Sequence, residues 1–109
     1  MTAQSDKGRW KKWADSLRQE MMIALTPQVT KSVDAIAAET GTTKSKKTLK
    51  KVAFWRSCQT GAIANDSLIA AGFEIEFQEN EDRCVSEVTF KLNSTWLSIM
   101  QKVINRTAN

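Results

Sequence analysis

The stretch Phe73-Glu74-Ile75-Glu76-Phe77-Gln78 alternates apolar and polar side chains, which is the period-two pattern of a β-strand with one buried and one solvated face. Residues 80–83 (Asn-Glu-Asp-Arg) have the composition of a turn. Alternation resumes over residues 84–92, where the side chains predicted to face the core are Ser86, Val88, Phe90 and Leu92. The sequence therefore predicts an antiparallel β-hairpin over residues 73–92, packed on helices.

Two helices are predicted ahead of this hairpin, before residue 42. Over residues 7–25, apolar side chains recur at spacings of three and four and form one stripe of a helix. These side chains are Trp10, Trp13, Ala14, Leu17, Met21, Ala24 and Leu25. Thr26-Pro27 has the form of an N-cap followed by proline at the first helical position. The second helix is predicted to end at Gly41, a residue suited to a left-handed C-cap, and to bury Val29, Val33, Ile36 and Ala37.

Further helical segments are predicted on either side of the hairpin. A third helix begins at Thr43 or Ser45 and extends to about residue 59. Its inward side chains are predicted to be Leu49, Val52 and Ala53. A short helix or turn is expected over residues 62–71, with Asn65 or Asp66 at its start and Gly72 at its end. Asn93 or Ser94 caps a last helix, whose core residues are predicted to be Trp96, Ile99, Met100 and Val103.

Length and composition indicate one domain over residues 1–109. A chain of 109 residues with 41% hydrophobic and 26% charged residues has the make-up of a globular domain with one core. We expect an α+β fold, mostly helical, with three to four N-terminal helices, one antiparallel β-hairpin and one C-terminal helix. Because the sequence has no membrane-spanning apolar run and no secretory leader pattern, we expect a cytoplasmic protein that does not contact a membrane.

The residue types present argue against catalysis. The chain has no histidine, the commonest general base and neutral metal ligand, and it has only two cysteines, Cys58 and Cys84. We expect both cysteines to be buried, reduced thiols. The acidic residues 74–87 are expected to form a solvated face, and no glycine-rich phosphate loop is present. The sequence therefore predicts no enzyme activity, no metal site and no cofactor.

Charge is distributed unevenly along the chain. Residues 1–60 carry a net charge of +7, residues 61–109 carry −3, and the whole chain carries +4. Residues 44–56, called the basic segment below, contain no acid; their cations are Lys44, Lys46, Lys47, Lys50, Lys51 and Arg56. Such a cluster attracts phosphates by charge and counterion release. Phe54 and Trp55 lie among the cations and are candidates for stacking on bases. These eight residues form the predicted nucleic-acid site, for DNA or RNA.

Residues 33–50 resemble the helix-turn-helix of transcriptional regulators. Ile36, Ala37 and Gly41 fall where that motif places its inward aliphatic residue, its small residue and its turn glycine. The hairpin that follows is similar to the wing of a winged-helix domain. The resemblance implies that the basic segment is a recognition helix and that residues 79–83 are a wing tip. Because that tip is acidic, it would repel a nucleic-acid backbone.

A protein-interaction module is the alternative hypothesis. An inhibitor, adaptor or assembly subunit would bind a partner protein through its acidic hairpin or through a tryptophan and methionine surface, since tryptophan is enriched at binding hot spots. The residues expected to contribute to that surface are Trp10, Trp13, Met22, Phe54 and Trp55. A homodimer in which the basic half of one copy meets the acidic half of the other belongs to the same class.

Overall fold

A computed structural model of the chain describes residues 6–60 and 66–107. These residues form an α+β domain of six helices and a three-stranded antiparallel sheet. In chain order the elements are α1 (Asp6–Ala24), β1 (Gln28–Ser32), α2 (Val33–Thr40), α3 (Lys46–Leu49), α4 (Val52–Thr60), α5 (Asp66–Ala70), β2 (Phe73–Glu79), β3 (Val85–Leu92) and α6 (Ser94–Thr107). The part of the predicted short helix at residues 62–65 lies outside the described residues.

The predicted hairpin is present as β2 and β3, and a third strand, β1, pairs with the other side of β3. The prediction that Thr26-Pro27 begins a helix is therefore wrong. The carbonyl of Pro27 accepts a hydrogen bond from the Leu92 N–H (3.0 Å), and Val29 lies opposite Phe90. Proline is tolerated there because it precedes an edge strand. The N-cap of α2 is Ser32, whose hydroxyl accepts from the Ala35 N–H (3.1 Å).

The single helix predicted across the basic segment is two helices, α3 and α4. Ser45 caps α3, as expected, by accepting from the Thr48 N–H (3.2 Å). The break falls at Lys50 and Lys51, where the Lys50 carbonyl accepts from the Val85 N–H (2.8 Å) and Lys51 bridges to Cys84, the residue before β3. Ala53, predicted to face inward, is exposed.

The inner face of β3 differs from the predicted one because of a β-bulge. Phe77 pairs with Val88 and Glu79 pairs with Val85, so β3 has one more residue than β2 over this interval. The extra residue shifts the alternation. Val85 is consequently buried, and Ser86, which was predicted to face the core, is exposed.

Helix α1 supplies much of the core that covers the inner face of the sheet. Its buried side chains are Trp10, Trp13, Ala14, Leu17 and Met21, as the spacing predicted. Ala24 and Leu25, predicted to continue this stripe, are exposed because α1 ends at Ala24 and Leu25 adopts a left-handed φ of 54°.

Helix α6 packs on this core by a narrow stripe. Asn93 caps it by accepting from the Trp96 N–H (3.0 Å). Met100 is buried, and Trp96 and Ile104 pack against the core. Ile99 and Val103, predicted to be core residues, are 38% and 37% exposed because they lie beside this stripe rather than on it.

The attachment of α6 also depends on Arg18 of α1. Its guanidinium lies 4.4 Å from the centre of the Trp96 ring and donates to the carbonyl of Ala71 (2.8 Å). The Trp96 ring also lies close to Gly72, where an added Cβ would clash with the indole Cδ1 and Nε1. One arginine therefore joins α1, the α5–β2 turn and α6.

We predict that Gly72→Ala destabilises the fold much more than Gly41→Ala. At Gly72 a φ of 102° and the clash with Trp96 act together, so unfolding should become easier by about 3 kcal/mol or more. At Gly41, φ is 66° and nothing lies within 4 Å of the added Cβ, so the cost is about 1 kcal/mol. Urea denaturation of both variants measures the difference. Equal losses would contradict the packing described for Trp96.

Candidate nucleic-acid interface

The basic segment presents four cations to solvent on α3, on α4 and at the α3–α4 junction. Each of the four is exposed, and within the described parts of the chain none has an ion-pair partner. They are Lys47, Lys50, Lys51 and Arg56. A positive potential over these residues is therefore not neutralised by nearby acids.

The other two predicted cations are partly engaged by the protein. Lys46 lies 3.7 Å from the carboxylate of Asp34 on α2, and both side chains are largely exposed. Lys44 is half-buried, and its charge acts on the thiol of Cys58. Burial nevertheless raises the pKa of Cys58 to about 12. Both lysines contribute charge to the surface, but they are less available than the four exposed cations.

Three tryptophans attach the chain around the basic segment to the core. The indole N–H of Trp10 donates to the hydroxyl of Thr42 (3.0 Å), and that of Trp55 donates to the carbonyl of Leu49 at the end of α3. The indole N–H of Trp13 donates to the carboxylate of Glu39 (3.1 Å) near the end of α2. These bonds hold the turn before α3 and the end of α3 in place, and thereby fix the backbone that carries the lysines.

The two predicted stacking residues belong to the core. Trp55 is fully buried, so its ring cannot stack on a base in this fold. Phe54 is half-buried, with its ring centre 4.9 Å from Trp55 and 5.9 Å from Trp10. The aromatic surface expected for the alternative function is likewise reduced, because Trp10 and Trp13 are buried and Met22 is half-buried. The candidate interface therefore offers charged side chains to a partner rather than exposed aromatic rings.

Glu39 links the tryptophan anchor to the edge of the sheet. One carboxylate oxygen accepts from Trp13 and lies 2.9 Å from Lys31 on β1, and the other accepts from Lys31 (3.0 Å). Burial opposes ionisation of this carboxyl group. The hydrogen bonds from Lys31 and Trp13 and the charge of Lys31 outweigh it, so the pKa of Glu39 lies below its ordinary value of 4.5.

We predict that Glu39→Gln lowers stability at pH 7 by about 1 kcal/mol, a value reduced by the partial exposure of the carboxylate. Because the folded-state pKa is depressed, the contribution of Glu39 is present above pH 4.5 and is lost as the pH falls through the folded-state pKa. The variant should therefore lose less stability on acidification than the wild type. Urea denaturation at pH 7 and below pH 4.5 measures this effect. Glu20→Gln, at an exposed carboxylate of α1, is the control; an equal response in both variants would contradict the role of Glu39.

The first turns of α1 add positive charge that the sequence prediction did not assign to the site. Trp10 contacts Thr42 and Phe54, so the flanking residues of α1 lie beside the start of the basic segment. The basic residues there are Lys7, Arg9, Lys11 and Lys12. The density of these cations is visible in the sequence, and the long-range contacts of Trp10 show that this turn of α1 lies next to residues 42–54.

The acidic hairpin turn lies at the same end of the molecule. Lys51 is paired with Cys84, directly after the turn, and the turn is closed by the Asn80 side chain, which accepts from the N–H groups of Asp82 and Cys84. Glu79, Glu81 and Asp82 are exposed. The basic segment is thus bordered by negative charge on the hairpin side, which limits the surface that a polyanion can approach.

The residues in ranges 6–60 and 66–107 contain no metal-binding cluster, and burial affects the thiol of Cys58. No group of histidine, cysteine, aspartate or glutamate residues among them could hold a metal ion. The raised pKa of Cys58 keeps that thiol protonated at neutral pH, so it is a poor nucleophile. No described helix is long and apolar enough to cross a membrane.

Comparisons with models of protein families, with curated protein sequences and with solved structures found no match to this chain.

Proposed function

We propose that this chain is a small, non-enzymatic nucleic-acid-binding protein, acting alone or as a small subunit of a nucleoprotein complex. The observation that carries the proposal is the set of four exposed cations, without ion-pair partners in the described chain, on α3, on α4 and at the junction between them. Phosphate oxygens satisfy such cations without precise geometry. The tryptophan hydrogen bonds favour binding further, because the backbone that bears the cations is already ordered in the free protein.

The proposed mode of binding is contact with the phosphate backbone. With Trp55 buried and Phe54 packed between two tryptophans, base stacking does not contribute. Phosphate contacts position a protein without reading sequence, so we expect weak sequence preference. Under the helix-turn-helix resemblance, α2 and α3 would be the paired helices, with Gly41 as the left-handed C-cap between them. Because α3 is only four residues long, it supports contact at the backbone better than deep insertion into a groove.

We predict that the chain binds labelled oligonucleotides with a steep dependence on salt. Four phosphate contacts on duplex DNA correspond to a slope of log K against log salt concentration of about −3 to −4. Fluorescence anisotropy with single-stranded and double-stranded oligonucleotides at several salt concentrations measures the slope and shows which form is preferred. Lys47→Glu combined with Lys50→Glu should weaken binding by about tenfold or more, because two attractive contacts become repulsive.

A matched control is available on α6. Lys102→Glu combined with Arg106→Glu changes the net charge by the same amount at exposed positions outside the basic segment. This control should retain near wild-type affinity if the basic segment is the site. Equal weakening in both double variants would indicate that net charge alone governs binding, and absence of binding at low salt would refute the proposal.

A protein-interaction function is the second candidate, and exposed apolar side chains on α6 favour it. Leu97, Ile99 and Val103 are each between 37% and 40% exposed, although α6 also packs on the core. A partner protein would cover these side chains instead of the buried tryptophans. Ile99→Ser combined with Val103→Ser would weaken such a complex while leaving oligonucleotide affinity unchanged, which distinguishes the two functions.

A further inference from the structure

One face of the sheet is not covered by any described helix. The helices pack on the face that carries Ile75, Val88 and Phe90, all of which are buried. The opposite face, called the outer face below, is polar and largely exposed. Its side chains are Gln28, Thr30, Ser32, Glu74, Glu76, Gln78, Glu87, Thr89 and Lys91.

A cleft of about 500 Å³ lies next to the β-bulge and extends from the outer face, around the edge strand β2, to Gln59 of α4. Its charged residues are Glu76, Glu79 and Glu87, and no cation lines it. Glu76 forms an ion pair with Lys91 at 2.8 Å. Glu79 and Glu87 have neither an ion-pair nor a side-chain hydrogen-bond partner within the described chain. The cleft is therefore polar, concave and negatively charged.

The basic segment belongs to the helical layer on the other side of the sheet. Leu49 and Trp55 of this segment are buried in the core, whereas Lys47 and Lys50 are exposed. One molecule thus presents unpaired carboxylates in the cleft and unpaired ammonium groups on its helical layer. Glu87 lies on the outer face, and Glu79 lies at the end of β2, in register with Val85. Two copies of the chain are complementary in charge at these surfaces, although neither surface is complementary to itself.

We propose that the occupant of the acidic cleft is the basic segment of a second copy of this chain. Lys47 and Lys50 are exposed on α3 and at its C-terminal end, and the cleft is large enough to admit their side chains. Glu79 and Glu87 supply the opposing charges. Because both partners are partly solvated, the association is weak and is screened by salt.

This inference shares the basic segment with the proposed function but does not rest on it. Self-association is measured without nucleic acid, and either property can fail alone. If both hold, a polyanion and a second copy compete for the same lysines, so bound nucleic acid would release the protein from its own oligomers.

Sedimentation velocity of the full chain at low and moderate salt tests the proposal. The wild type should associate at low salt, with association falling at least about tenfold on raising the salt through the physiological range. Two double variants, Lys47→Glu with Lys50→Glu and Glu79→Lys with Glu87→Lys, should each be monomeric, because each places like charges across the contact. All four positions are exposed, and circular dichroism serves to check that the variants remain folded.

Mixing the two double variants is the decisive experiment. In an equimolar mixture of the two variants, the glutamates introduced in one variant face the lysines introduced in the other. The native lysines then face the native glutamates, so association should return. Lys102→Glu with Arg106→Glu should associate like the wild type. A monomeric wild type at low salt, association that is insensitive to salt, or a mixture that stays monomeric would each overturn the proposal.

The same variants separate this result from nucleic-acid binding. Glu79→Lys with Glu87→Lys leaves the basic segment intact, so it should bind oligonucleotides at least as tightly as the wild type while failing to self-associate. If Glu79→Lys with Glu87→Lys loses both properties, the assignment of the cleft as the acidic partner is wrong.

Discussion

The packing of aromatic rings around Phe90 is the interaction on which the rest of the structure depends. Phe90 lies on the central strand, and its ring centre is 5.2 Å from Trp13, 5.7 Å from Phe73 and 6.3 Å from Trp55. These edge-to-face contacts join α1, α4 and β2 to one side chain. Large aromatic side chains bury more apolar surface than other residues, so a few of them hold a small domain together.

The indole N–H groups of the tryptophans fix the position of the chain that forms the basic surface. A buried indole needs a hydrogen-bond acceptor, and Trp10 and Trp55 find theirs at Thr42 and at the carbonyl of Leu49. Their acceptors lie on either side of the first lysines of the basic segment. The hydrophobic core and the charged surface are consequently parts of one arrangement, in which burying the rings determines where the cations stand.

The sequence alone predicted those elements that depend on a local pattern of residues. The hairpin was predicted from alternation, and Ser45 was one of the two residues predicted as the cap of α3. Strand β1 was missed because Thr26-Pro27 imitates a helix start and because the strand is recognised only through its pairing with β3. The break after Leu49 was missed for a similar reason, since it coincides with a hydrogen bond from Val85. The exposed cations followed from composition, whereas the burial of Trp55 depends on contacts distant in sequence.

The strand order β1-β3-β2 has a consequence for how the chain reaches its fold. Val29 pairs with Phe90, a residue about sixty positions later, so the edge strand has no partner until β3 has been synthesised. Closing so long a loop slows folding relative to a domain with local contacts. Until β3 leaves the ribosome, the tryptophan stripe of α1 has no sheet to cover it. During synthesis the apolar stripe of α1 is therefore exposed to non-native contacts until β3 is available.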